Sequence, residues 1–218
     1  FASTANIESY VALSGAPLPV LAPQQLVSCS KNPQQCGGTG GCGGSIAELA
    51  YDYVQANGMV LEKNYPYTAR DSPCNQSAIA TPAATLTGHV RLVQNDYNSV
   101  MQALSTIGPL AVNVWAIPFQ SYRSGIFNGC SYKASMDIDH VVQLVGYGTD
   151  SGKDYWIIRN SWGPGWGENG FMRMAREGPQ TLATCGLDMT PADGTACQGD
   201  AAVVGVCGQC GVLYDASY

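Results

Sequence analysis

Asp139-His-Val-Val-Gln-Leu-Val-Gly-Tyr-Gly148 is an apolar, β-branched run opened by a histidine. Twenty residues after that histidine, Tyr155-Trp-Ile-Ile-Arg-Asn-Ser-Trp-Gly163 closes a second such run on an asparagine. Short runs of this composition, punctuated by Gly, Asp and Ser, predict strands of an antiparallel sheet. A lone histidine at a strand start is by default structural, and His89, in a polar stretch, reads as a surface or strand-start residue. His140 differs because Asn160, at the end of a buried strand, can accept a hydrogen bond from an imidazole and fix its tautomer. Trp162 can keep water off that bond. This is the orienting role in a Cys-His-Asn nucleophile system, although the spacing alone does not decide it.

Working outward, further strands are expected at Leu110–Trp115, Val141–Tyr147, Tyr155–Arg159, Gly170–Ala175 and Val203–Val206. The residues before Arg91 read as helical. Ile7, Tyr10 and Val11 recur at helical spacing in 1–14, stopped by Gly15 and Pro17. Pro23 opens a short second helix. A third spans Ser45 to Asn57, with Ser45 as cap, Glu48 three residues on and Gly58 as its stop. Val100 to Ile107 is a fourth. A helical half (1–91) followed by a β half (92–218) predicts an α+β protein of two lobes. Between them in character is Gln35-Cys-Gly-Gly-Thr-Gly-Gly-Cys-Gly-Gly44, which reads as a disulfide-pinned loop or as backbone left open to a ligand.

The 218 residues carry a net charge of −6, with 12% charged and 45% hydrophobic residues. That length buries a substantial core, and the apolar share excludes disorder. No apolar run reaches the roughly 18 residues a membrane span needs, and no basic stripe exists to neutralise nucleic-acid phosphates. Nine dispersed cysteines suggest a secreted or lumenal chain held by disulfides. Cys207-Gly-Gln-Cys210 has the spacing of half a zinc or redox site, but no second pair or nearby His completes it. An odd count implies a free thiol, an intermolecular bond or a partner outside the chain. The Phe at position 1 suggests a processed end or a truncation. Asn75-Gln-Ser77 is a glycosylation sequon in a polar loop.

The strings DHVVQLVGYG and YWIIRNSWGPGWGENGFMRM resemble the His and Asn segments of the papain-like cysteine peptidases, the cathepsin family. LAPQQLVSC (21–29), GGCGGS (40–45), YPY (65–67), GPLAV (108–112) and FQSYRSGIF (119–127) fit in order, and FASTANIESY resembles the continuation of the family's nucleophile helix. The resemblance implies a helical left lobe and an antiparallel β-barrel right lobe with peptide bound between them. It also implies a thiol nucleophile, His140 as general base and acid, and Asn160 as orienter. In the family the nucleophile lies in a Cys-Trp-Ala-Phe run, of which this chain begins at the Phe. A notional Cys three residues before Phe1 sits 142 residues ahead of His140, within the family spacing of about 130–150. The nucleophile and an oxyanion-hole Gln are therefore expected outside the 218 residues, which alone are expected to be inactive.

The same resemblance pairs Cys29 with Cys74 and gives Cys42 a partner upstream. It pairs Cys130 with Cys185 or Cys210, because 186–209 looks inserted. Cys36, Cys197 and Cys207 stay unassigned. It assigns Gly43, Gly44 and Ser45 to the loop whose backbone pairs with extended substrate, and Asp139 to a carbonyl contact with substrate. Ile46, Ala47, Asn113, Ile138 and Val141 form the walls of the pocket selecting the residue two before the cut. Asp215 would stand at its floor, where a basic residue would be tolerated; otherwise it is a solvated turn residue. Trp162 and Trp166 form the leaving-group wall. Polypeptide substrates, a propeptide or protein inhibitors as partners, a monomer, and a lysosomal, vacuolar or secreted location follow; no metal or cofactor is implied. Endopeptidase action is the default without an occluding insertion bearing paired histidines. The competing readings are a non-catalytic relative that binds peptides or protein partners, and a serine-for-cysteine variant.

Overall fold

Strand β1 (Leu110–Val114) is buried along its whole length, and the reason organises the molecule. Successive strand side chains face opposite ways. Leu110, Val112 and Val114 point into a core of 22 buried residues shared with Val142, Leu144 and Trp156. Ala111 points the other way, into a second core of nine residues built on Ile7, Tyr51, Val54 and Met59. One strand is thus the floor of both halves. A computed structural model describes all 218 residues, Phe1–Tyr218, and contains no cis peptide bond.

The helical half contains α1 (Ala2–Leu13), α2 (Pro23–Cys29) and α3 (Ala47–Asn57). The first turns of α1 are buried on every side, including Ser3, Thr4 and Asn6, because the helix is packed between α3 and strands β1 and β3 (His140–Asp150). Polar ties fix it there: Asn6 Nδ2 donates to the Tyr51 hydroxyl at 3.0 Å, and Gln143 Nε2 donates to Ser9 Oγ at 2.9 Å. Pro23 occupies the first turn of α2, and Gly58 ends α3 at φ +69°. The expected capping by Ser45 does not occur. Ile46 is the N-cap in extended conformation, the Ser45 hydroxyl is buried without a partner, and Glu48 turns towards Arg91 instead.

Helix α4 (Tyr97–Thr106) starts three residues earlier than the apolar pattern indicates, because Asp96 accepts from the Asn98 amide at 3.0 Å and caps it. The remaining strands are β2 (Ile126–Phe127), β3 (His140–Asp150), β4 (Lys153–Arg159), β5 (Phe171–Ala175), β6 (Cys185–Asp188), β7 (Val204–Cys207) and β8 (Ala216–Ser217). Six form a sheet in the order β2-β5-β4-β3-β1-β8, antiparallel except for the β2–β5 edge. Its ladder does not return from β8 to β2, so the expected barrel is an open, mixed-edge sheet. The β3–β4 turn runs through Ser151 (φ +51°) and Gly152 (φ +75°), the left-handed pair that matches hairpin twist. Strands β2 and β8 escape pattern reading because two residues show no alternation.

Eight cysteines pair: Cys29–Cys74, Cys36–Cys197, Cys130–Cys210 and Cys185–Cys207. The first is as the resemblance implies. Of the alternatives for Cys130, Cys210 is the partner, because Cys185 faces Cys207 directly across the β6–β7 ladder. Cys207 and Cys210 are thus committed to two different disulfides. Cys42 is free and exposed. No helix is long and apolar enough to cross a membrane.

Candidate active site

The register of β3 and β4 creates the first half of the site. Gln143 pairs with Arg159 across the ladder, so the start of β3 and the residue after β4 lie at the same end of the hairpin. His140 Nε2 and Asn160 Oδ1 meet there at 2.9 Å. The amide oxygen can only accept, so Nε2 carries the proton and Nδ1 remains available. The same oxygen accepts from the Ser161 amide at 2.8 Å, which fixes the carboxamide plane. Trp162 stacks on the imidazole, with ring centroids 5.4 Å apart and planes 26° from parallel. Trp166 meets Trp162 edge-on and is anchored by its Nε1 to the Phe119 carbonyl. Burial lowers the His140 pKa, opposed by the Asn160 hydrogen bond and by the Asp139 charge. A neutral imidazole in this setting takes up a proton that can be passed on, which is the requirement for a general base.

Beside this pair, a cavity of about 560 Å³ is lined by Phe1, Ala2, Val141, Asn160, Gly163 and Phe171 among others. The one free thiol in the chain, Cys42, is unsuited to attack. Desolvation and the neighbouring Asp71 carboxylate push its pKa up, and the thiolate is the nucleophilic form.

The second half lies where the two cores meet at β8. Asn113 in β1 pairs with Val141 in β3, and its Nδ2 donates to Asp215 Oδ2 at 2.8 Å. Asp215 is buried and its other oxygen accepts from Arg91 Nε at 2.7 Å. The positive charge facing this carboxylate is therefore the chain's own. Glu48, from α3, lies 3.9 Å from the same Arg91 nitrogen, and neither of its oxygens has a hydrogen-bond partner. Burial, then the Asp215 charge, raise its pKa to about 7. Burial also raises that of Asp215, against Arg91 and Asn113. Sequence reasoning missed Arg91 and Glu48. The only available signal was an arginine at the change from helical to β character.

The other expected contact residues divide by exposure. Ala47, Asn113 and Ile138 are buried, whereas Ile46 and Val141 are partly accessible. The Asp139 carboxylate accepts from the Ala116 amide at 2.9 Å. Gly43 ends a short 3₁₀ turn, and Gly44, at φ +98°, lies so close to Gly37 that a Cβ would approach its carbonyl oxygen to 2.6 Å. The Gly44 carbonyl already accepts from Gly40 N at 2.7 Å.

Residues 1–195 match the family profile described as "Papain family cysteine protease". The chain is 38% identical over 192 residues to the oryzain beta chain of Oryza sativa subsp. japonica, covering 87% of this chain and 40% of that protein. It is 39% identical over 190 residues to chymopapain of Carica papaya, covering 86% and 51%. Among solved structures, the bromelain protease from Ananas comosus, in complex with the E64 inhibitor, superposes with a TM-score of 0.76 at 33% identity. That match covers 100% of this chain and 86% of that one. The chain spans about half the length of the curated relatives it matches.

Proposed function

The chain belongs to the papain family of cysteine proteases, and from that premise we propose that His140 and Asn160 are the acid–base half of a peptide-hydrolysing site. Its thiol comes from a cysteine preceding Phe1. The observation that carries the reading is the 2.9 Å His140–Asn160 bond under the Trp162 ring. A relative that only binds peptides has no use for an imidazole held in one tautomer. With Nε2 tied to Asn160, Nδ1 is the atom that takes the thiol proton. The thiolate attacks the scissile carbonyl to form an acyl-enzyme. The imidazolium protonates the leaving amine, and the imidazole then activates water for deacylation.

On this reading the two lobes, 1–91 and 92–218, form one peptidase domain, and the 218 residues alone do not hydrolyse peptides. Polypeptides are the substrates, and a propeptide, protein inhibitors and small thiol-directed inhibitors such as E64 are the partners. A monomer in a secretory, lysosomal or vacuolar compartment follows, supported by four disulfides. Endopeptidase action is the family default; how far a substrate can extend depends on how much of the cleft is open. The test expresses the protein with the residues that precede Phe1. Peptide hydrolysis that is lost on alkylation and absent from residues 1–218 alone is expected. Equal hydrolysis by the shorter chain, or activity untouched by thiol alkylation, overturns the proposal.

A further inference from the structure

Residues 190–198, at the tip of the β6–β7 insertion, do not stay with the sheet that carries them. Gly194 packs on the backbone that leads into His140, so closely that a Cβ would stand 1.6 Å from the Ile138 carbonyl oxygen. On its other side lies the helical half. A Cβ on Gly37 would meet the Gly194 oxygen at 2.5 Å and Ile46 at 2.9 Å. The crossing is then tied down. Gly37 N donates to the Ala196 carbonyl at 2.9 Å, Gln198 N to the Gln34 carbonyl at 2.7 Å, and Cys36 bonds Cys197. At its near end, Thr190 Oγ1 donates to Asp137 at 2.9 Å. Gly194, Thr195 and Ala196 are buried, so this is a packed strap.

The strap lies on one side of His140 only. The strap runs from the Ile138 backbone to Gly37, which itself packs beside Ile46, and Ile138 and Ile46 are both assigned to the pocket for the residue two before the cut. On the leaving-group side, nothing covers Trp162, which is 39% exposed. The Trp162 side is thus open, whereas the approach along Ile138 and Gly37 is crossed by the strap. The glycine loop adds to this, since the Gly44 carbonyl that would pair with extended substrate is engaged by Gly40.

Resting on the peptidase reading above, we infer that the Thr190–Gln198 strap closes the cleft ahead of the scissile bond, so that the enzyme removes short N-terminal stretches from polypeptides instead of cutting within them. The chemistry of the bond is unchanged: the acyl group transferred to the thiol is one or two residues long and carries a free α-amine. Glycine at 194 is required because any side chain lifts the strap from Ile138.

The test uses the protein extended ahead of Phe1 and two peptides with the same scissile bond. One has a single free-amine residue before it, the other that residue preceded by five more. Extension is expected to lower kcat/KM at least about tenfold, roughly 1.4 kcal/mol. The double variant Cys36→Ser/Cys197→Ser, and separately Gly194→Leu, are expected to restore the long substrate at least about tenfold while changing the short one less than about threefold. Two strap variants that act through different contacts guard against misfolding of either. Equal rates for the two peptides in the unmodified enzyme overturn the inference. So does a strap variant that raises both rates together, since that describes an inhibitory cover. Alkylation of the nucleophile by iodoacetamide is followed in parallel. An enzyme that labels yet cuts the long peptide freely contradicts only the strap, whereas one that neither labels nor cuts contradicts the peptidase reading and the strap with it.

Discussion

The two halves of the site are built by different means. On the β3–β4 side, His140 and Asn160 are brought together by strand register, and each has one dominant partner. On the β8 side, Glu48, Arg91, Asn113 and Asp215 come from four distant parts of the chain, and two buried carboxylates share one guanidinium. The first half is local, neutral and rigid. The second is non-local and charged, and its balance depends on pH. Hydrogen bonds within a hairpin survive small movements between the lobes, whereas a buried ion cluster between lobes does not, because separating its members exposes unpaired charge. The His140–Asn160 pair is thus insensitive to small shifts between the lobes, whereas the Arg91–Asp215 cluster is not.

This contrast can be broken at either end. In the protein extended ahead of Phe1, His140→Ala removes the only acid–base group of the first half. It is expected to lower kcat by about 10²–10⁴-fold while leaving thermal stability nearly unchanged. Arg91→Met should do the reverse, leaving activity per folded molecule largely intact. It strands Asp215 and Glu48 without a counter-charge. A fully buried pair broken this way costs about 3–5 kcal/mol; with Arg91 42% exposed, about 2–3 kcal/mol is expected in denaturant unfolding. Asn160→Ala, which frees the imidazole to rotate, should cost about 10- to 100-fold in kcat/KM, the worth of a hydrogen bond to a charged group.

The pH dependence sharpens the comparison. The Glu48 pKa is raised to about 7 in the folded protein, first by burial and then by Asp215, with Arg91 opposing. A folded state that holds the proton more tightly than the unfolded chain loses stability as pH rises. The contribution is complete below the ordinary glutamate value and is lost as pH climbs through about 7. Glu48→Gln should flatten the stability profile across that window. An unchanged slope would show that Glu48 does not carry it. The smallest effect is expected at Asp96→Ala, where the loss of the α4 cap costs about 1 kcal/mol with no effect on hydrolysis.

The same division explains what the sequence made legible. His140 opens one strand and Asn160 and Trp162 directly follow another, so their places can be read from alternation and spacing, and the order of motifs around them resembles one family over most of the chain. The four long strands and the helices also follow from periodicity and from Gly and Pro punctuation. The β8-side cluster is not legible, because nothing in a linear pattern brings Glu48 beside Arg91 and Asp215. Ser45 looked like a cap, but the approach of Gly37 and Gly44 turns that stretch away before the helix begins. The Cys36–Cys197 bond, spanning 161 residues, and the open edge of the sheet are likewise products of tertiary packing. The segment 186–209 was recognisable as an insertion, but its path across Ile138 was not.

The most direct test of the central claim is the pH profile of iodoacetamide alkylation of the protein extended ahead of Phe1, with the modified residue located by mass spectrometry. A cysteine ahead of Phe1 is expected to react well below the ordinary thiol pKa of about 8.5, and His140→Ala should return its reactivity to that ordinary value. Alkylation confined to Cys42, or a profile indifferent to His140, would contradict the assignment of His140 and Asn160 to a thiol peptidase.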